Sequence, residues 1–320
     1  MAGEGKTAVA SGGTFSLYGG DYKYLNQRTI DNSGTATWSD NGHIRCDNGP
    51  VFNNLAGGVF EIRNDRSFYR NGTVTPVFNN AGTVQKTTGT GSSRFENTVF
   101  TNTGVVQTQS GSLYFSGEFT SEGEVNPLGG TTIQFDQGTF VFNEGTSCTG
   151  EGWIYQSNGS LAITTPISAP NFILENGTLS GYGSLDISGT FDWRSGTMRG
   201  LGSTNIGPGG TLSINGGGTK RISQRTLSNA GTATWTGSSD IRIANGADIR
   251  NLNGATFDVQ VNRNFYFDGG AVSTFSNAGT FIKSNGEGSF KFDHVDFTNS
   301  GVLQITAGQT FVFAGESLHN

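Results

Sequence analysis

Helical text is the first thing this chain lacks: no window of a dozen residues carries apolar positions at i, i+3, i+4 and i+7 free of glycine. That excludes helical bundles and the alternating strand–helix folds. It also empties its many glycines of nucleotide-binding meaning, because Rossmann and P-loop motifs need a strand leading into a helix. Cysteine is scarce. Cys46 and Cys148 are too few for a disulfide framework, and the counterpart of Cys46 in the duplication described below is Ile243, so the thiol reads as a small buried hydrophobe. The three histidines, His43, His294 and His319, fall at no metal-ligand spacing, and Gly286-Glu-Gly-Ser does not supply the serial nonapeptide of calcium-binding β-rolls. No metal, cofactor or nucleic-acid partner is expected. There is no run of 18 apolar residues for a membrane helix, and Met1 to Ser11 lacks the charged and apolar regions of a signal peptide.

What is present is repetition. The chain of 320 residues holds 51 glycines, 24 phenylalanines and only 6 prolines, with a net charge of -6. Phe, Val, Ile and Thr recur in short alternating runs, which favours β-structure over disorder. Thr29 to Trp38 returns almost unchanged as Thr226 to Trp235, an offset of 226 − 29 = 197 residues. At that offset Gly13 to Gly111 aligns with Gly210 to Gly308 without a gap, with roughly 44 identities among about 99 positions. Three segments follow: a first copy over 1–112, an acidic and less regular stretch over 113–209, and a second copy over 210–320. Both ends fall inside the repeat pattern, so the chain reads as a segment of something longer.

Within each copy, asparagine and glycine punctuate the text about every 22 to 25 residues, at Gly34, Gly57, Gly82 and Gly104 and again at Gly231, Gly254, Gly279 and Gly301. These are expected at corners, with positive φ at Gly231. Alternation then turns Ala36 and Trp38 inward, likewise Trp235, and Leu303 with Ile305 after Gly301, while Thr35 and Thr37 face out. A coil of about 22 residues cannot bury its own apolar side, but stacked coils can. The fold class is therefore all-β, a parallel β-helix (β-solenoid), with asparagines able to form ladders at successive corners. In the middle stretch the coils are expected to be shorter or triangular, and Thr164 to Pro170 to be an irregular loop or seam.

Gly-Thr-Phe-Asp-Trp-Arg-Ser-Gly-Thr-Met-Arg-Gly-Leu-Gly-Ser-Thr from Gly189, Gly-Gly-Thr-Leu-Ser-Ile from Gly209 and Arg-Thr-Leu-Ser-Asn-Ala-Gly-Thr-Ala-Thr-Trp from Arg225 resemble the glycine-rich β-strand repeats of very large bacterial surface and secreted proteins. Haemagglutinin-like and autotransporter-passenger β-helices are of this kind. The resemblance implies an extracellular or cell-surface location and an elongated, adhesive or scaffolding role. It brings no functional residues with it.

Charge adds one asymmetry. The three segments carry about +1, -7 and +1, counted over Gly13 to Gly111, Ser112 to Gly209 and Gly210 to Gly308. Basic residues keep their sign between copies at Lys23/Lys220, Arg28/Arg225, Arg45/Arg242, Arg66/Arg263, Lys86/Lys283 and Arg94/Lys291. One reading is that cations guard exposed β-surfaces against pairing. The sharper one is a binding ladder, Arg28, Arg45, Arg66, Arg225, Arg242 and Arg263, for a cell-surface glycan, another acidic polymer or the acidic segment of a second copy. Glu118, Glu122, Glu124, Asp136, Glu144 and Glu151 must be weighed as glycosidase acids, which need a separation that sequence spacing does not establish; a solvated charged face is the plainer reading. Thr35/Thr37 and Thr232/Thr234 raise ice binding, but regular ranks of such pairs are absent. The expectation is a structural or adhesive, self-associating segment, a stiff stalk, filament or adhesin with no catalytic residues. A carbohydrate-binding module and a β-helix polysaccharide lyase or glycosidase are the alternatives. Neither Met1 to Ala10 nor Leu318-His319-Asn320 reads as a cap, which is the ground for expecting self-association.

Overall fold

The computed structural model describes every residue except 287, 307, 315–317 and 320. Glu287 and Asn320 of the segments named above, and the side chains of Leu318 and His319, lie outside the described residues. The chain is an all-β parallel β-solenoid of about 14 turns of roughly 22 residues, without a helix among the described residues. It forms two compact units, Met1–Ser160 and Leu161–Asn320.

In the first unit each coil has three faces. One face stacks Lys23–Asn26, Ile44–Asp47 and Ser67–Arg70. A second stacks Lys6–Val9, Thr29–Asn32, Val51–Asn54 and Val77–Asn80. The third is a seven-stranded sheet running from Thr14–Leu17 to Ser147–Cys148. The strands Ser92–Asn102, Ser112–Ser121 and Thr132–Phe142 are long enough to serve the first two faces in one sweep, and their register shifts where they bend. Strict alternation puts one rank of side chains inside. Phe52, Phe78, Phe100 and Phe119 stack ring on ring along the second face at 4.8, 5.0 and 5.3 Å between centroids. Phe68, Phe95, Phe115 and Phe135 form a parallel file on the first. Each such ring contributes about 1.5–3 kcal/mol by burial, which explains the phenylalanine content.

The second unit repeats the scheme, with an eight-stranded sheet from Ile167–Ala169 to Leu318–His319 as one face. Its first coils are the short ones: Phe172 pairs with Phe191 and Leu185 with Thr204, 19 residues apart (191 − 172 and 204 − 185). The proline-bearing segment read as a loop or seam holds that sheet's first strand, Ile167–Ala169, with Ile167 and Ala169 buried. The duplication is visible strand for strand. Thr29–Asn32, Ile44–Asp47, Val51–Asn54, Val77–Asn80 and Thr83–Lys86 return at the same offset as Thr226–Asn229, Ile241–Ala244, Asp248–Asn251, Thr274–Asn277 and Thr280–Lys283. Trp38 and Trp235 are both fully buried. Leu303 and Ile305 keep the inward register, paired with Phe281 and Lys283, but stand 38% and 45% exposed because no described strand covers them.

At the corner following the second face, the last asparagine of each strand turns inward. Asn32 donates to Asn54 Oδ1, Asn54 to Asn80 and Asn80 to Asn102, each at 2.8 Å. Each also donates to a backbone carbonyl on the far side of the turn, of Val59, Thr83 and Val105 respectively. Asn229, Asn251, Asn277 and Asn299 repeat the ladder in the second unit.

The corner glycines need correction. Positive φ occurs at Gly57 and Gly254, at +79° and +81°, but not at Gly34, Gly82, Gly104, Gly231, Gly279 or Gly301. At these six the requirement is close approach. A Cβ on Gly231 would lie 2.1 Å from the Gly210 carbonyl oxygen, and one on Gly104 would lie 2.0 Å from that of Gly82. The chain of one coil passes directly over a carbonyl of the coil before it, where no side chain fits.

Candidate functional site

Since inward positions are taken by the core, function must lie on outward positions, corners or loops. The first face of the first unit carries the densest set of outward groups. Tyr24, Arg45, Tyr69 and Glu96 fall in one register across four coils. A second file, two residues upstream, runs Ser67, Arg94, Tyr114, Gln134 and Tyr155. Tyr22 and His43 flank these files, with rings 5.6 Å apart, and His43 meets Tyr69 edge-on at 6.1 Å. Strands lie about 4.8 Å apart, so one coil brings the next ring or guanidinium into contact with the last.

Two cations lie over rings. The Arg45 guanidinium carbon is 5.5 Å from the centre of Tyr24, and that of Arg94 is 4.6 Å from Tyr114. Asp47 and Glu96 lie within ion-pair distance of Arg45 and Arg94, at 3.3 and 3.9 Å. Tyr114 donates to Asp136 at 2.5 Å, and burial together with that carboxylate pushes its hydroxyl well up. His43 accepts from the Ser67 amide at 3.1 Å through Nδ1, and burial, then Arg66, lowers its pKa. The histidine is thus a neutral ring at pH 7. Tyr22 and Tyr24 stand half exposed, at 51% and 50%. The result is a shallow stripe of aromatic faces and cations with carboxylates at its margin.

In the second copy the same register reads Arg221, Arg242, Tyr266 and Asp293. Arg242 lies over Tyr266 at 5.9 Å, and Asp268 pairs with both Arg221 and Arg242. The Arg–Tyr step persists, while Tyr24 is replaced by Arg221.

The six arginines of the expected ladder do not form one. Arg45 and Arg242 belong to the stripes. Arg66 sits just before its strand and donates to Asn41 at 2.9 Å, and Arg263 is exposed. Arg28 and Arg225 turn toward the preceding coil: Arg28 donates to Thr7 Oγ1 and the Lys6 carbonyl, and Arg225 to Thr204 Oγ1 and the Ser203 carbonyl. Arg225 is fully buried, so its guanidinium, which stays protonated at neutral pH although desolvation lowers its pKa to about 10, is out of reach of a ligand. Lys86 and Lys283 are fully buried as well. Lys86 donates to the Asn64 and Thr88 carbonyls, Asp65 and Ser93 Oγ, and Lys283 to Asn262 Oδ1 and the Asn285 carbonyl. Lys220 caps the Arg194 carbonyl in the same way. These cations keep their sign between copies because coil corners turn carbonyls inward and an ammonium or guanidinium satisfies several at once.

The acidic candidates are dispersed. Glu118 and Asp136 lie on the long strands of the first two faces, Glu124 lies on the seven-stranded sheet, and Glu122, Glu144 and Glu151 lie exposed between strands. Asp136 is engaged by Tyr114, and Glu124 by Asn126 and Thr149. Cys46 and Cys148 are free and buried. Among the described residues no three His, Cys, Asp or Glu side chains converge as a metal site. The tyrosines of the stripe escape sequence reading because an outward Tyr between inward residues, as in Lys23-Tyr-Leu or Ser67-Phe-Tyr, is ordinary strand text; their recurrence at outward positions of successive coils is the signal that could have found them. No protein-family model, curated protein or solved structure matches the chain.

Proposed function

We propose that this chain is a stiff adhesive segment of a large extracellular repeat protein of the bacterial surface type, and that its Tyr–Arg face binds polysaccharide. The observation that carries this reading is the stripe of Tyr22, Tyr24, His43, Arg45 and Tyr69, in register on a rigid sheet. Aromatic rings offer a flat apolar surface to the C–H face of a pyranose, and guanidinium groups bind carboxylates and hydroxyls beside it. A sheet held by stacked coils does not reorganise on binding, so little ordering cost opposes a weak, repeated contact. Repetition along one face then suits an extended chain molecule, through multivalency.

The test is retention on immobilised neutral polysaccharide. The double variant Tyr24→Ala/Arg45→Ala should lose at least about tenfold in affinity, equivalent to about 1.4 kcal/mol, with an unchanged circular dichroism spectrum. Equal retention of variant and native protein rejects the reading. Shortening of the polysaccharide, seen as new reducing ends, supports the glycosidase or lyase alternative instead.

A further inference from the structure

The second unit contains a separate cleft. Its walls are Tyr182, Leu201, Arg199 and Gln224, its floor Gly181 and Gly200, and its volume is about 440 Å³. That falls within the range of about 300–1,000 Å³ usual for small-molecule sites. The elements that build it are corners of three successive coils. Arg199 pairs in register with Ser223, and a Cβ on Gly200 would lie 2.7 Å from the Gly181 carbonyl oxygen. The glycines keep the floor low, and the side chains next to them stand clear of the coil.

Two features of this cleft suit it to an anionic ligand with an apolar face. Tyr182 and Leu201 are 78% and 70% exposed, among the most exposed large apolar residues of the chain, and they occupy adjacent coils. Arg199, in the acidic stretch where only Arg194 is also basic, makes no ion pair with any described carboxylate. Arg28, Arg66, Arg70 and Arg225 lack one too, but each donates to a neutral oxygen instead. An aromatic face, an apolar neighbour, an unneutralised guanidinium and a carboxamide thus converge on one space.

We infer that this cleft binds an acidic pyranose residue, a uronic acid, with its C–H face on the Tyr182 ring, its carboxylate on Arg199 and its hydroxyls toward Gln224. Arg forms bidentate bonds to a carboxylate, and the carboxamide supplies both a donor and an acceptor for vicinal hydroxyls. The cleft shares no residue with either Arg–Tyr stripe, and the stripe of Tyr24, Arg45 and Tyr69 that carries the proposed function lies in the other unit, so either can fail alone.

The test is calorimetric titration of the full chain with a tetramer of 1,4-linked uronic acid, repeated with its neutral hexose counterpart. Arg199→Gln and Tyr182→Ala should each weaken the acidic oligosaccharide at least about tenfold, while Tyr182→Phe keeps native affinity because the ring and not the hydroxyl makes the contact. Tyr24→Ala/Arg45→Ala should leave this binding in place. Both cleft side chains are exposed, so unchanged thermal unfolding of the variants separates lost binding from lost fold. Three outcomes overturn the inference: equal binding by Arg199→Gln, equal binding of the neutral oligosaccharide, and equal binding of a short polyglutamate, which would make the cleft an acidic-peptide site.

Discussion

Asn54 is the most informative residue to remove. It accepts from Asn32 Nδ2 at 2.8 Å and donates to Asn80 Oδ1 at 2.8 Å and to the Thr83 carbonyl at 3.1 Å, all in a fully buried setting. In Asn54→Ala, Asn80 Oδ1 loses its donor and Asn32 Nδ2 loses one of two acceptors, keeping Val59 O at 3.0 Å. A buried group left unsatisfied costs about 1–3 kcal/mol, so two weakened groups and a small void give about 3 kcal/mol. The control is Asn53→Ala, the neighbour on the outer rank, which donates to Asp31 at 2.7 Å but is half-buried, with an expected cost of about 0.5–1.5 kcal/mol. A stack of coils opens locally, so hydrogen exchange is the appropriate assay. The amides of Val59, Thr83 and Val105 donate across this corner to Gly34, Gly58 and Gly82. Their protection should fall about 100-fold in Asn54→Ala, since about 1.4 kcal/mol is tenfold. Asn54→Asp adds a sign. An aspartate there would face the Asn80 and Thr83 oxygens, so its folded pKa rises above the unfolded value of about 3.9. Its contribution is then present below that pH and lost as pH rises through the folded pKa. If Asn54→Ala costs no more than Asn53→Ala, the ladder is decoration and the reasoning fails.

Other expectations are independent of the ladder. Trp38→Ala and Trp235→Ala should each cost about 3–5 kcal/mol, but Trp38→Phe should cost more than Trp235→Phe, because Trp38 Nε1 donates to the Gly42 carbonyl at 2.9 Å and Trp235 Nε1 is buried without a partner; urea midpoints decide it. Gly231→Ala should destabilise by about 1–3 kcal/mol through contact with the Gly210 carbonyl, and Gly57→Ala by about 1–2 kcal/mol through its φ of +79°, so a D-alanine placed by chemical ligation at position 57 should recover the loss in thermal unfolding. Arg225→Met should cost about 2–4 kcal/mol in thermal unfolding, since it leaves the Ser203 and Gly183 carbonyls without their donor, and half-buried Arg28→Met should cost less. Burial raises the Asp65 carboxyl, but Lys86 and the Gly91 amide outweigh it and hold the pKa below 3.8; the ion pair therefore contributes above that pH and is lost as pH falls through the folded value, an acid dependence that Asp65→Asn should remove.

Coil length, parallel stacking, the asparagine corners and the inward tryptophans were legible because each follows from spacing alone: period two within a strand, about 22 residues between corners, and a gapless duplication that repeats both. What spacing does not encode is which atoms of a neighbouring coil pass over a residue. Gly57 and Gly231 look alike in the text, yet one supplies a backbone angle and the other an absent Cβ. The second copy itself bounds the latter requirement, since Ala255 occupies the place of Gly58, so that rung has room to relax. The same limit misled the reading of charge. Arg28 and Arg45 both keep their sign between copies, but one brackets the preceding coil and the other lies over a tyrosine on the open face.

The two copies differ more at outward positions than at corners. Groups that seal corners, such as Asn54 and Asn251, Lys86 and Lys283 and the arginine brackets, recur in both copies because they satisfy buried polar groups of neighbouring coils. The outward files recur only in part: Arg45–Tyr69 returns as Arg242–Tyr266, while Tyr24 gives way to Arg221 and His43 to Asp240. Cross-strand contact with ring and carboxylate neighbours maintains the Arg–Tyr step in both copies. The exchanges around it change aromatic area and charge on a fixed platform. On the polysaccharide reading, the first copy favours ring stacking and the second favours anionic groups, and a panel of neutral and acidic chains tested against Tyr24→Arg should shift the first stripe toward the second's preference. An unchanged preference would mean that the exchanged positions do not touch the ligand.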